Sequence, residues 1–203
     1  MKLYYSPNTC ALSDHIVLEW IGKPYEARRV SREERAMPEF RKLNPAGAVP
    51  VFEQDGWVLT QNAAILGYLA DTFPEAGLGG DGTPKSRAEV TRWLAFINSD
   101  VHPAFKPLFG STAYLGDAAV IEKSKQHAKA TLRTLLERAD AQLAGQDWIA
   151  GTRSIADPYL YVILRWAKAA GVDLGGLGNL ARFVDRMEAD PAVRNVLKEE
   201  GLD

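Results

Sequence analysis

The sequence predicts an α/β unit followed by an all-α domain, and three features carry that reading. The first 73 residues alternate short apolar or aromatic runs with stretches of helical spacing, in the order strand, helix, strand, helix, strand, strand, helix. Between Pro74 and Pro84 lie Gly77, Gly79, Gly80 and Gly82, the clearest linker in the chain. Every periodic stretch beyond it repeats at roughly 3.6 residues, the period of a helix. The expected division is residues 1–76, a linker at about 77–83, and a helical bundle over 84–203.

Residues 1–5 are apolar or aromatic apart from Lys2 and suit a strand. Ser6-Pro7-Asn8 is a turn signal, because Pro7 fixes φ and Asn8 tolerates unusual backbone angles. Thr9 stands where it would cap a helix carrying Leu12, Ile16, Val17, Leu18, Trp20 and Ile21, dense enough in apolar residues to be mostly buried. Gly22-Lys23-Pro24 ends that helix. A second strand is expected over 25–30. Residues 31–43 are strongly charged, and Met37, Phe40 and Leu43 would anchor one short, irregular helix there. Asn44-Pro45-Ala46-Gly47-Ala48-Val49-Pro50-Val51-Phe52 leads small residues and two prolines into an apolar strand. Composition leaves the isomer of the Val49–Pro50 bond open. Gln54-Asp55-Gly56 reads as a hairpin turn and 57–59 as the return strand. Thr60 would cap the next helix, whose apolar face is Ile65, Leu66, Leu69 and Phe73.

In the second half one helix is expected over 85–101, with His102-Pro103 and Lys106-Pro107 interrupting it. A long amphipathic helix should cover 117–143. Ser154-Ile155-Ala156-Asp157 is a variant of the capping box, with Asp157 where Glu or Gln is usual. It opens an almost wholly apolar helix over 159–170, the hub of this half, ended by Gly171. Two further helices should follow, over about 177–188 and 191–199, with Pro191 in a first turn.

A formal net charge of −2 points neither to nucleic acid nor to an anionic membrane. No apolar run reaches the roughly 18 residues a membrane span requires. A single cysteine excludes an internal disulfide framework and fits a reducing compartment. With no secretory pattern at the N-terminus, a cytoplasmic protein is expected. No metal site is expected either.

The chemistry-bearing residues fall in three loops, 6–10, 46–50 and 61–62, which the βαβ-plus-hairpin order could bring together. Cys10 stands in the first turn of its helix, where free N–H groups and the helix dipole favour an anion, so a thiolate of lowered pKa is expected. The alternative is a small buried hydrophobe. Cys10-Ala11-Leu12-Ser13 is a Cys-x-x-Cys frame with the second sulfur replaced, so any redox step would need a sulfur from outside the chain. Gln61 and Asn62 stand beside the free N–H groups of another helix, a small-anion site that suits a carboxylate; the alternative is two amides that only cap. His102 is either a packed core histidine or, with Pro103 after it, a side chain at a kink beside a cleft. His15 and His127 read as structural or exposed.

Taken together these residues resemble the cytosolic glutathione S-transferases, most closely the bacterial beta class. The resemblance runs through Lys2-Leu3-Tyr4-Tyr5 with Cys10, Asn44-Pro45-x-Gly47-x-Val49-Pro50, Ala64-Ile65-x-x-Tyr68-Leu69-Ala70-Asp71, Ser154-Ile155-Ala156-Asp157, Leu164-Arg165-Trp166-Ala167 and Glu200-Gly201-Leu202. It implies a thioredoxin-like first domain, a C-terminal helical bundle, a homodimer and a cis Val49–Pro50 bond. It also implies glutathione as co-substrate, with Val49 offering backbone groups to the cysteinyl part and Gln61 and Asn62 holding the γ-glutamyl end. Relatives commonly carry an acidic residue where this chain has Gln61, so glutathione affinity is expected to be weakened. Arg35 matches a lysine that reaches the glycyl carboxylate. Ser99, Asp100 and His102 match a segment lining the site, Asp100 reaching the partner subunit's glutathione and His102 the sulfur. Relatives often have asparagine where this chain has Ala95. Cys10 becomes a thiolate orienter, a mixed-disulfide partner, or both. Tyr5, Phe105, Phe109 and Trp166 are the residues expected around a small hydrophobic electrophile, Tyr5 and Ser6 also being candidate hydroxyl donors. Three activities follow in order of preference: conjugation of glutathione to such electrophiles, with possible peroxidase or disulfide reductase side activity; glutathione-dependent thiol–disulfide exchange through Cys10; and a non-catalytic scaffold of the same fold.

Overall fold

The computed structural model describes residues 1–202. Four short strands form one sheet in the order β2-β1-β3-β4, with β1 (Lys2–Tyr5) inside it. β1 runs parallel to β2 (Glu26–Arg29) and antiparallel to β3 (Val51–Gln54), which returns as β4 (Trp57–Thr60). A parallel pair needs a crossover, and α1 (Ala11–Ile21) supplies it. Asp55 (φ 52°) and Gly56 (φ 81°) both take left-handed angles, which a two-residue turn between twisted strands requires. Where one irregular helix was expected, two short ones occur, α2 (Arg32–Ala36) and α3 (Pro38–Leu43). Ser31 and Glu34 close a reciprocal capping box on α2, and Pro38 starts α3 afresh. Phe40 is buried as expected, but Met37, between the helices, is exposed.

Helix α4 (Asn62–Thr72) follows β4 directly, so its N-cap is Gln61 and not Thr60, which stays in the strand. Beyond a 3-10 turn at Pro74–Ala76 the chain is helical, completing a thioredoxin-like unit followed by a helical domain. The glycine-rich stretch between the two does not float free: Leu78 is buried and its carbonyl accepts from Ile155 N (3.0 Å). α5 (Pro84–Ala95) ends earlier than its apolar spacing suggests. It widens into a π-helical turn, Phe96–Val101, and then α6 (His102–Ala104). Pro103 has no N–H to continue an ordinary helix, and His102 N bonds five residues back to Ile97 O.

α7 (Ala118–Gln142) is capped by Asp117, and α8 (Ala156–Ala169), α9 (Gly178–Ala189) and α10 (Pro191–Glu200) complete the chain. α8 is the hub: apart from Arg165, Lys168 and Ala169 its residues are buried. Its entrance is fixed by Asp157, whose buried carboxyl accepts from Ile149 N (2.9 Å), Ser154 N (2.7 Å) and Ser154 Oγ (2.9 Å). α1 lies between α4, α8 and α10, which explains why Ala11 through Leu18 are all buried. His15 is pinned there, with Nδ1 3.0 Å from Glu200 Oε1 and Nε2 3.3 Å from Glu199 Oε2. Among the described residues no helix is long and apolar enough to cross a membrane.

Candidate active site

The turn between β1 and α1 delivers the cysteine. Asn8 takes φ 58°, which reverses the chain, and its carbonyl accepts from Trp166 Nε1 at 2.9 Å, tying the turn to α8. Thr9 does not cap α1 with its side chain. Its hydroxyl donates to Ser6 O (2.7 Å), and Cys10 itself occupies the N-cap position without a side-chain bond. Ser6 is likewise spent inside the fold, donating to Val30 O at 2.7 Å.

Asn8, Thr9 and Cys10 form one wall of an open cavity of about 330 Å³, and His102, Phe109 and Trp166 form the other. Of the four expected wall residues the structure brings two together there. Phe109 is 58% exposed and packs edge-on against Trp166, their rings nearly perpendicular with centroids 5.3 Å apart. Phe105 is fully buried behind them, stacked on Phe109 at 5.6 Å, so it supports the wall without forming it. Tyr5 is not in the cavity: its ring is buried 5.1 Å from that of His15. A larger, mainly apolar cavity of about 560 Å³ lies beside α8 and α9 and shares only Asn8 with the first. It contains neither cysteine nor histidine.

The expectation of a thiolate at Cys10 is corrected by the surroundings. Burial pushes the thiol up to about 12, the field of Asp14 adds to that, and the backbone N–H groups of Cys10 and Ala11 only partly oppose it. A helix N-terminus lowers a thiol's pKa where water can share the charge; under α8 it is outweighed. The Sγ instead lies 4.0 Å from Val49 O, an acceptor for S–H. Asp14 is fully buried, and burial holds its carboxyl well above the usual range.

The Val49–Pro50 bond is cis. The loop before it is held by Asn44, which donates from Nδ2 to Ala48 O (2.8 Å) and accepts at Oδ1 from Ala46 N (3.1 Å). Gly47 (φ 61°) is required there: a Cβ would come within 2.9 Å of Arg35 O. Gln61 is exposed and strained at φ 76°. The side chain of Asn62 turns inward. It satisfies its neighbours with its nitrogen facing Cys10 O (3.0 Å) and Asp14 Oδ2 (2.6 Å) and its oxygen accepting from Ser13 Oγ (3.1 Å). What Asn62 offers outward is its backbone N–H in the first turn of α4, where no side chain caps the helix.

Arg35 lies apart from the sulfur, in a polar cleft of about 260 Å³ that it lines with Arg32, Arg41 and Gly47. None of these arginines has an acidic partner within 4.0 Å among the described residues. Ser99 donates to Ala95 O (2.6 Å) in the widened turn, with Asp100 Oδ1 3.1 Å from the same hydroxyl oxygen, both Ser99 and Asp100 being exposed. His102 stands at the end of that turn with its Nδ1 2.5 Å from Tyr159 Oη. Burial, and then Lys106, hold its pKa below the ordinary histidine value, so it is neutral at pH 7. Tyr159 and Asp14 were not singled out from the sequence, and Asn8 was read there only as a turn residue. Asp14 did leave a signal, an acidic residue one turn past Cys10 on a helix whose residues are mostly apolar; Tyr159 is disguised by the apolar run around it.

Two family models match the chain, the glutathione S-transferase N-terminal domain over residues 1–71 and the C-terminal domain over 89–191. The chain belongs to the glutathione S-transferase family. It is 56% identical to glutathione S-transferase GST-4.5 of Xanthomonas campestris pv. campestris, with all of both chains covered. A solved glutathione S-transferase from Xylella fastidiosa superposes with a TM-score of 0.97 at 51% identity, covering 100% of this chain and 99% of that one. A sphingomonad glutathione S-transferase solved in complex with glutathione superposes at 0.87, with 37% identity and both chains covered in full. Membership agrees with the resemblance drawn from the motifs, and it covers both domains.

Proposed function

We propose that this family member conjugates the thiolate of glutathione to small hydrophobic electrophiles, and that its site is of the beta-class kind, built on Cys10 and His102. The observation that carries the reading is the cavity wall itself. A thiol at a helix N-terminus and a neutral imidazole face one cavity whose other sides, Trp166 and Phe109, are aromatic. Glutathione would lie extended from the arginine cleft to the first turn of α4. Arg35 would hold the glycyl carboxylate, Val49 the cysteinyl backbone, and the N–H of Asn62 with the side chain of Gln61 the γ-glutamyl end. Ser99 and Asp100 lie on the exposed turn beside it, where Asp100 would reach across a homodimer.

In this arrangement the protein stabilises an anion that glutathione brings. Cys10, held as a thiol, turns its single S–H from Val49 O toward that sulfur when glutathione binds, and His102 donates a second hydrogen bond. Both are uncharged donors pre-placed where charge collects. The aromatic wall holds the electrophile and keeps water from it. Oxidoreduction through Cys10 ranks second, because a thiol held protonated is a poor nucleophile.

Retention on immobilised glutathione, together with turnover of a small aromatic halide, tests the reading. Conjugation that survives Cys10→Ala supports it. Loss of conjugation in that variant, with retained reduction of a glutathione mixed disulfide by the wild type, would favour the redox alternative. Failure to bind glutathione at all would leave only a scaffold.

A further inference from the structure

Tyr159 is fully buried on α8, and its hydroxyl meets His102 Nδ1 at 2.5 Å. The same oxygen lies 3.3 Å from Asn98 Oδ1. A phenol has one proton to give, and the far shorter contact marks where it goes. Asn98 is exposed, so its amide is free to turn its nitrogen toward the phenol oxygen. The imidazole is held edge-on by two rings, Tyr159 at 5.9 Å and 86° and Trp166 at 4.9 Å and 75°. A neutral imidazole that accepts at Nδ1 carries its hydrogen on Nε2. His102 lines the cavity, and the ring edge turned from Tyr159 is the one bearing Nε2.

We infer that Tyr159 is a positioning residue: by donating its hydroxyl proton to Nδ1 it locks His102 in the Nε2–H tautomer, so that an uncharged N–H donor faces the sulfur bound beside Cys10. The inference rests on the glutathione reading above and extends it to a residue that touches no substrate. Both partners hold the states the lock requires. Burial raises the Tyr159 phenol far above neutrality, with Cys10 and Asp14 adding to the rise, while burial and Lys106 keep His102 from gaining a proton. A neutral donor of this kind keeps its hydrogen across the neutral range, where a histidine relying on its positive charge would lose it.

The test begins with ligand-free protein labelled with ¹⁵N-histidine, in which long-range N–H correlations report the tautomer of each ring. The three histidines are assigned by comparison with His102→Gln. In wild type His102 should be the Nε2–H form; in Tyr159→Phe, which keeps the ring and removes the hydroxyl, both tautomers should appear. The second readout is the thiolate absorbance of bound glutathione. Its pKa should rise by about half a unit to one unit in Tyr159→Phe, and kcat/KM below that pKa should fall roughly threefold to tenfold. A wild-type His102 protonated on Nδ1, tautomers unchanged in Tyr159→Phe, or an unchanged pKa of bound glutathione in that variant would each overturn the proposal. The tautomer is read without glutathione, so failure of glutathione to bind would sink the functional reading and leave the lock to be judged on the spectra.

Discussion

Alkylation of the free protein at its sole cysteine separates a thiol from a thiolate at Cys10. The side chain borders the open cavity, so a small reagent reaches it. Its pKa is pushed up to about 12 by burial and then by Asp14, at least about three units above an unperturbed thiol near 8.5. Three units correspond to about a thousandfold loss of thiolate, leaving about one molecule in 100,000 ionised at pH 7. Iodoacetamide should therefore react on the order of a thousand times more slowly than with an unstructured cysteine peptide, and the rate should still climb beyond pH 10. Asp14→Asn removes the smaller cause and leaves burial, so at alkaline pH, where the Asp14 carboxyl has lost its proton, it should speed alkylation while keeping it below the peptide rate. Linkage gives the matching sign. A raised thiol pKa contributes stability that is present below the unfolded value and lost as pH rises from about 9 toward 12. Alkylation at the peptide rate, or a titration midpoint below 8, would refute the argument and restore the low-pKa thiolate that the helix terminus alone suggests.

Other consequences are as direct. Asp157→Ala strips three donors of their buried acceptor at the entrance of α8 and should cost about 3–5 kcal/mol in denaturant unfolding. Burial raises Asp157 to about 7, so its contribution is full below the unfolded carboxylate value near 4 and falls away as pH climbs to 7. Urea midpoints across that range should lose this component of their slope in Asp157→Asn. Gln61→Gly relieves a positive φ and should leave stability equal or up to about 1 kcal/mol higher, while weakening retention on glutathione. Gln61→Glu should tighten glutathione binding in a calorimetric titration by restoring a charge opposite the γ-glutamyl amine. Arg35→Ala should raise KM for glutathione with little change in kcat, as expected where binding is uniform between ground and transition states.

Local signals carried most of the fold. Asp55-Gly56 specifies its hairpin, Gly171 and Pro191 stand beside helix ends, and Ser154 with Asp157 marks the start of the hub, because each acts within a few residues. The caps at Thr9 and Thr60 failed for a related reason: strand pairing held Thr60 in β4, and the turn took the hydroxyl of Thr9. The end of α5 was hidden because apolar spacing continues through the π turn, and only Pro103 announces the change. At the site, Cys10, His102, Phe109 and Trp166 were legible as residue types. Their environment was not. The thiol is raised because α8, far along the chain, covers α1, and Phe105 and Tyr5 face the core for reasons that no aromatic side chain reveals in sequence. Tyr159 illustrates the limit: one oxygen in an apolar helix has meaning only beside the imidazole it touches.

The most direct measurement is the thiolate absorbance of glutathione bound to the Cys10→Ser variant, which lacks a thiol of its own and keeps a donor in its place. With His102 and the α1 terminus facing the sulfur, bound glutathione should ionise well below the roughly 8.5 of an unperturbed thiol and show its thiolate band at pH 7. Glutathione that binds with no such band until pH 8.5 or above would contradict a site built to hold that sulfur as an anion.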